Sequence, residues 1–212
     1  MSSPFHNIIT SEAEIRELIG YPSDIVQKKS IQQLDEHCRQ FIAKSPILFL
    51  ATSDDQGSCD VSPRGDVPGS VLVLDDKHLV IPERPGNRRI DSLRNILLNP
   101  QVGIIFIIPG LEETLRVNGK AVVIQDDHIL EQLKAKSNDK KPLLAIGVEV
   151  EECYIHCAKA FIRSKLWNYD SWLQTHQLPS VPAIIKAHVN SPQYTEEVVK
   201  KGLQESYEQR LY

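Results

Sequence analysis

The chain has 212 residues, 41% of them hydrophobic and 25% charged, with a formal net charge of −4. That is the composition of a soluble globular protein with one good-sized core, and the acid excess excludes a nucleic-acid binder whose whole surface is basic, though not a local anion site. No apolar run approaches the roughly 20 residues needed to cross a bilayer. Met1-Ser2-Ser3-Pro4-Phe5 has neither the basic nor the apolar part of a secretion signal. Cys38, Cys59, Cys153 and Cys157 fit no zinc spacing and no dense disulfide framework. The expectation is a reduced, cytoplasmic protein with no metal, membrane or nucleic-acid partner.

The first 45 residues read as a helical lead-in. Residues 12–19 form a short helix, capped by Ser11 with Glu14 three positions on, a capping box. Gly20-Tyr21-Pro22 ends it, and Ser23 caps a second short helix. Residues 30–44 form a longer one, with Ile31, Leu34, Cys38, Phe41 and Ile42 on one face and Cys38 as a small core residue.

From Pro46 the pattern turns to strands. Residues 47–52 are a buried strand, residues 54–57 a turn, and Ser58 to Ser62 a returning strand, followed by the Pro63-Arg64-Gly65-Asp66 turn. Val71 to Leu74 and His78 to Ile81 make a further hairpin, broken at Pro82 and Pro85. Gly86-Asn87 then opens a helix whose stripe is Ile90, Leu93, Ile96 and Leu97, and Asn99-Pro100 stops it. Val102 to Ile108 is a continuous apolar run, hence a strand covered on both faces. Thr114 to Ile124 alternates, residues 127–136 are helical, and Leu143 to Ile155 is another long strand. The tail from residue 158 carries helices near 181–188 and 192–210, with Pro192 at the second start. About seven mostly antiparallel strands with peripheral helices make an α+β protein, and closure into one small barrel removes its edges.

Arg88 and Arg89 break a local rule. They fall in the first turn of the predicted helix, where the dipole disfavours cations. A bound anion resolves the conflict, because free N–H groups and guanidinium forks suit a phosphate. A solvated basic turn paired with Glu83 and Asp91 is the other reading.

Four motifs in order carry a resemblance: Ser62-Pro63-Arg64-Gly65-Asp66, Ile81-Pro82-Glu83-Arg84-Pro85-Gly86-Asn87-Arg88-Arg89, Asn99-Pro100-Gln101-Val102-Gly103, and Leu115-Arg116-Val117-Asn118-Gly119-Lys120-Ala121. The chain resembles the FMN-binding split-barrel family related to pyridoxamine 5′-phosphate oxidase across the barrel. With His156-Cys157-Ala158-Lys159 it is similar to a branch of oxidase-like flavoproteins distinct from the vitamin enzyme. The resemblance implies one split-barrel domain over residues 1–212, with lead-in 1–45, barrel 46–157 and tail 158–212. It implies a homodimer with two interfacial FMN sites, and a flavin-dependent oxidase or reductase acting on a small, anionic molecule. The cofactor-binding set expected on this basis is Ser62, Arg64, Ile81, Pro82, Asn87, Arg88, Arg89 and Thr114, joined by Cys157, which faces the flavin if the chain bends at the end of its strand, and by Arg163 of the basic helix that follows. Arg88 and Arg89 would hold the phosphate and Arg64 would lie beside the flavin, its alternative being a surface pair with Asp66.

The departures matter too. Thr114 replaces a glutamine that touches the flavin in many relatives, and the vitamin enzyme's C-terminal substrate-gripping pattern is missing. No catalytic residue is assigned. A flavin-binding or flavin-sensing protein without turnover, or a relative using a deazaflavin or haem, is the alternative function. His156 and Cys157 are strand neighbours that point to opposite faces, which argues against a catalytic dyad. Lys159, Arg163 and Lys165 form a basic helix, solvated or in contact with an anion. Trp172 is expected in the core, and Asp75-Asp76 and Asp126-Asp127 are read as turn and helix-start residues.

Overall fold

The computed structural model describes residues 4–136 and 139–212. Its elements are α1 (Glu12–Ile19), α2 (Asp24–Lys28), α3 (Glu36–Lys44), β1 (Ile47–Ser53), β2 (Cys59–Gly65), β3 (Leu72–Val73), β4 (His78–Glu83), α4 (Asp91–Leu98), β5 (Gln101–Ile107), β6 (Thr114–Ile124), α5 (Asp127–Ala135), β7 (Leu144–His156), α6 (Lys159–Ser164), α7 (Val181–Val189) and α8 (Glu196–Gln209). Local chemistry sets many boundaries. Ser11, Asp35, Asp126, Ser180 and Thr195 each accept a backbone N–H three residues on at a helix start. Asp75 accepts the backbone N–H groups of Lys77 and His78 and shapes the β3–β4 turn.

The seven strands form one antiparallel sheet in the order β2-β1-β5-β6-β7-β4-β3. The two longest strands, β6 and β7, carry a bulge between Asn118 and Gly119, which bends the sheet. Gly119 is needed there, since an added Cβ would lie 2.0 Å from the Glu149 carbonyl oxygen. The curved sheet wraps a core that includes Leu48, Leu50, Ile81, Ile104, Phe106, Leu115, Val117 and Ile146, plugged by Leu34 and Ile42 and by Leu93 and Ile96 of α4. A smaller cluster, Leu72, Val80, Leu130, Leu133 and Ala145, seats α5. Among the described residues no ladder joins β2 to β3 or β4, so the barrel is split along that line.

Several boundaries differ from the sequence reading. The third helix begins at Glu36 rather than residue 30, because Asp35 caps it, and Ile31 instead bridges Cys153 as a strand residue. β2 runs on through Pro63, Arg64 and Gly65, which is tolerated because β2 is an edge strand. Pro82 does not end β4, which continues to Glu83 opposite β7. Beyond Val80 its outer side has no strand partner for Pro82's missing N–H to fail. Pro192 precedes the last helix by a turn, since Thr195 is the cap. β5 is covered fully on one face and only in part on the other: Val102, Ile104 and Phe106 are buried, while on the opposite face Ile107 is buried but Ile105 is 37% exposed. Trp172 is 52% exposed and not in the core.

Candidate functional site

β2 and β4 end on opposite sides of the split, and charged side chains cross it. Along β2, Asp60, Ser62 and Arg64 face inward while Val61 and Pro63 are exposed. Arg64 Nε donates to Glu83 Oε2 at 3.1 Å, with both side chains largely buried. Arg84 Nε donates to Asp66 Oδ2 at 2.6 Å, and its Nη1 donates to the Lys140 carbonyl at 2.7 Å. Arg84 also lies over the Tyr212 ring, whose hydroxyl donates to Asp66 Oδ1. The pairing is therefore crossed: Arg64 takes Glu83 and not Asp66, whose partner is Arg84. Burial pushes the Glu83 carboxyl above its ordinary range, against the opposing pull of the Arg64 guanidinium.

A polar network fixes α4 beside this seam. Asp60 accepts from Thr52 Oγ1 at 3.0 Å, from Ser92 Oγ at 3.2 Å and from Asn95 Nδ2 at 2.7 Å. Ser92 Oγ also lies 3.2 Å from Ser62 Oγ. The buried face of α4 is thus Ser92, Leu93 and Ile96, whereas Ile90 and Leu97 are exposed. Half of the expected apolar stripe is replaced by hydrogen-bonding residues, because the strands beneath present Thr52, Asp60 and Ser62.

The arginine loop differs from its prediction. Arg88 and Arg89 lie before α4, not in its first turn, since the helix begins at Asp91 with Ile90 as N-cap. Arg88 and Ile90 both have left-handed backbones, φ 61° and 52°, and a β-branched residue there is a real outlier. Strain of this kind persists only where surroundings impose it and clusters at ligand-binding segments. Asn87 Oδ1 accepts from Arg89 N and steadies the loop. No side chain caps the helix at Ile90. Arg89 Nε reaches Asp91 Oδ2 at 3.3 Å while remaining 75% exposed. Arg88 has no ion-pair or hydrogen-bond partner among the described residues. The two arginines are thus unequal: one is weakly held by a carboxylate, the other is free.

Of the sequence-selected residues, Ser62, Arg64, Ile81, Pro82, Asn87, Arg88 and Arg89 belong to the ends of β2 and β4 and the loop into α4. Ile81 and Pro82 are buried and contribute backbone. Thr114, Cys157 and Arg163 are elsewhere. The register runs Arg64–Leu48–Phe106–Leu115 across β2, β1, β5 and β6, so the start of β6 is three strand spacings away, roughly 14 Å in the sheet. Thr114 is 3% exposed and opposes His156. Cys157 is exposed just past β7, and Arg163 is exposed on α6. One chain does not unite the two groups. Sequence reasoning named Glu83 only as a partner of the basic turn and missed Asp60 and Ser92; no periodicity marks these roles, because the partners come from distant segments.

The fold is a split β-barrel with a strained basic loop beside its seam. The chain belongs to the pyridoxamine 5′-phosphate oxidase family, whose model matches residues 34–157, from the last residues before α3 to the end of β7. No curated protein sequence matches it. Among solved structures it is similar to Group A Streptococcus HupZ, at 20% identity over 57% of this chain and 92% of that one with a TM-score of 0.47. It is similar to an FMN-binding protein from Syntrophomonas wolfei, at 12% identity over 69% and 96% with a TM-score of 0.47. A third likeness is to HutZ, the heme storage protein of Vibrio cholerae, at 20% identity over 56% and 91% with a TM-score of 0.42. At these values the likenesses bear on neither cofactor nor reaction.

Proposed function

We propose that the protein is an FMN-dependent oxidoreductase, an oxidase or reductase of a small anionic molecule, working as a homodimer in which residues 1–212 form one functional unit. The observation that carries the reading is the loop from Asn87 to Ile90. A free arginine, a second one only weakly engaged, and an uncapped helix start face the same solvent, which suits a phosphate. Family membership supports FMN as the owner of that phosphate. Arg88 would hold the charge, with Arg89 joining after leaving Asp91. Ile81 and Pro82 would offer backbone edge, Ser62 a hydroxyl, and Arg64 a cation beside the ring system. Glu83 would hold Arg64 in place and temper its charge. When bound, the flavin supplies the electron-transfer chemistry.

The second copy has two roles in this reading. It would bring Thr114, Cys157 and Arg163 to the seam of its neighbour. It would also cover the outer sheet face, where Val61, Phe49 and Ile105 are exposed on adjacent strands. An apolar row of this kind is a reasonable interface core.

The test is the absorption spectrum of the purified protein and of an Arg88→Ala variant. Flavin bands in the parent are expected. Losing a charged hydrogen bond costs about 1.5–3 kcal/mol, so the variant should bind FMN roughly 10- to 100-fold more weakly. A folded Arg88→Ala, Arg89→Ala double variant that remains fully yellow would overturn the assignment.

A further inference from the structure

The cysteines divide into two kinds. Cys59 and Cys157 are exposed, whereas Cys38 and Cys153 are buried and face one another, with Cys153 Sγ donating to Cys38 Sγ at 3.3 Å. They come from α3 and β7, 115 positions apart in the chain. The backbone around them is already joined. Ile31 N donates to the Cys153 carbonyl at 3.0 Å, and Cys153 N donates to the Ile31 carbonyl at 2.7 Å. The sulfurs therefore need to close by only roughly 1.3 Å to reach bonding distance, with the flanking chain held in register.

We propose that Cys38 and Cys153 are an oxidisable dithiol, which a peroxide converts to a disulfide that staples α3 to β7. The proposal is independent of any cofactor. The two thiols are not equivalent. Cys38 is in the first turn of α3, its N–H bonded to the Asp35 carboxylate, and it is 7% exposed where Cys153 is 0%. Cys38 accepts the hydrogen bond from Cys153 Sγ, and it is the thiol nearer to solvent and to the N-terminus of α3, so a peroxide reaches it first. Cys38 is thus the nucleophile and Cys153 the resolving thiol. In the first step the Cys38 sulfur attacks a peroxide oxygen, the O–O bond breaks, and Cys38 becomes a sulfenic acid as water leaves. In the second the Cys153 sulfur attacks the Cys38 sulfur, the S–O bond breaks, and a second water leaves. Two thiols and one hydrogen peroxide give one disulfide and two waters, the sulfurs losing two electrons and the peroxide gaining them.

The experiment treats folded full-length protein with hydrogen peroxide, quenches with acid, alkylates under denaturing conditions and maps peptides without reductant. A Cys59→Ser, Cys157→Ser variant is run beside it to remove the exposed thiols. The expected result in both is a linked peptide pair containing Cys38 and Cys153, a mass lower by two hydrogens in the variant, and reversal by dithiothreitol. Closing so long a loop should raise Tm by on the order of 10 °C. With Cys153→Ser, a sulfenic acid should be trapped on Cys38 by dimedone; with Cys38→Ser, none should appear on Cys153. The proposal is overturned if both buried thiols remain alkylatable, if Cys38 proceeds to the sulfinic acid unlinked, or if the only disulfides join different molecules. The map of the unmutated protein decides the matter even where a variant fails to fold.

Discussion

Removing Arg64 tests the seam in a way that separates its structural role from any ligand. Glu83 is largely buried and its counter-ion is the Arg64 guanidinium at 3.1 Å. Arg64→Ala leaves a carboxylate that has lost its charged partner. Deleting one member of a fully buried pair costs about 3–5 kcal/mol, and the residual exposure here reduces that to about 2 kcal/mol at about pH 7. For a chain of this length that corresponds to a fall in Tm of roughly 4–8 °C. The loss must depend on pH. The Glu83 carboxyl is already raised in the folded state, so the folded protein holds that proton more tightly than the unfolded chain, and stability falls as pH rises through the shifted range. Without Arg64 nothing opposes burial, the shift widens and the fall steepens. The variant should therefore lose much less at about pH 4, where the carboxyl is mostly protonated in either state. Urea titrations of the parent, Arg64→Ala, Glu83→Gln and the double variant at both pH values provide the measurement. Glu83→Gln should restore much of the neutral-pH loss and abolish the pH dependence. An equal loss at both pH values, or no coupling between the substitutions, would refute the reasoning.

Gly119→Ala should be severely destabilising, at least about 3 kcal/mol, because the added carbon would lie 2.0 Å from the Glu149 carbonyl oxygen and the bulge cannot yield; soluble yield and urea midpoint check it. Asn95→Ala removes a hydrogen bond to the Asp60 carboxylate and should cost about 1.5–3 kcal/mol, with weaker cofactor retention if α4 loosens the arginine loop; denaturation and equilibrium dialysis against FMN measure the two effects. Ile105→Glu places a charge in the exposed outer row and should give monomers by light scattering, while a persistent dimer would place the interface elsewhere.

Where the sequence encodes a boundary locally, reading it worked. The alternation from Thr114 to Ile124 and the capping of Glu12–Ile19 both appear in the structure with the bounds expected. The errors have a common physical origin, in that a local signal was overruled by a distant partner. Pro63 and Pro82 read as strand breakers, but each falls on an edge where a missing N–H is harmless. Ile31 has helical spacing to Leu34, yet pairs with Cys153 across the fold. Ile90 looked like the first apolar residue of a helix, and nothing in a single sequence announces that a β-branched residue will take a left-handed backbone. The arginine loop was visible by its charge. The cation left unpartnered in it, and the crossing of Arg64 to Glu83, were not, since four charged residues on two segments permit either pairing.

The line between β2 and β4 is fastened by side chains where every other strand boundary is fastened by backbone. Side-chain pairs can part without breaking a backbone rung, so among the described residues this line is the one strand boundary that can open while every ladder stays intact. In hydrogen exchange, amides flanking that line should open in a sub-global event well below the energy of complete unfolding, while those of β5 and β6 wait for the whole chain.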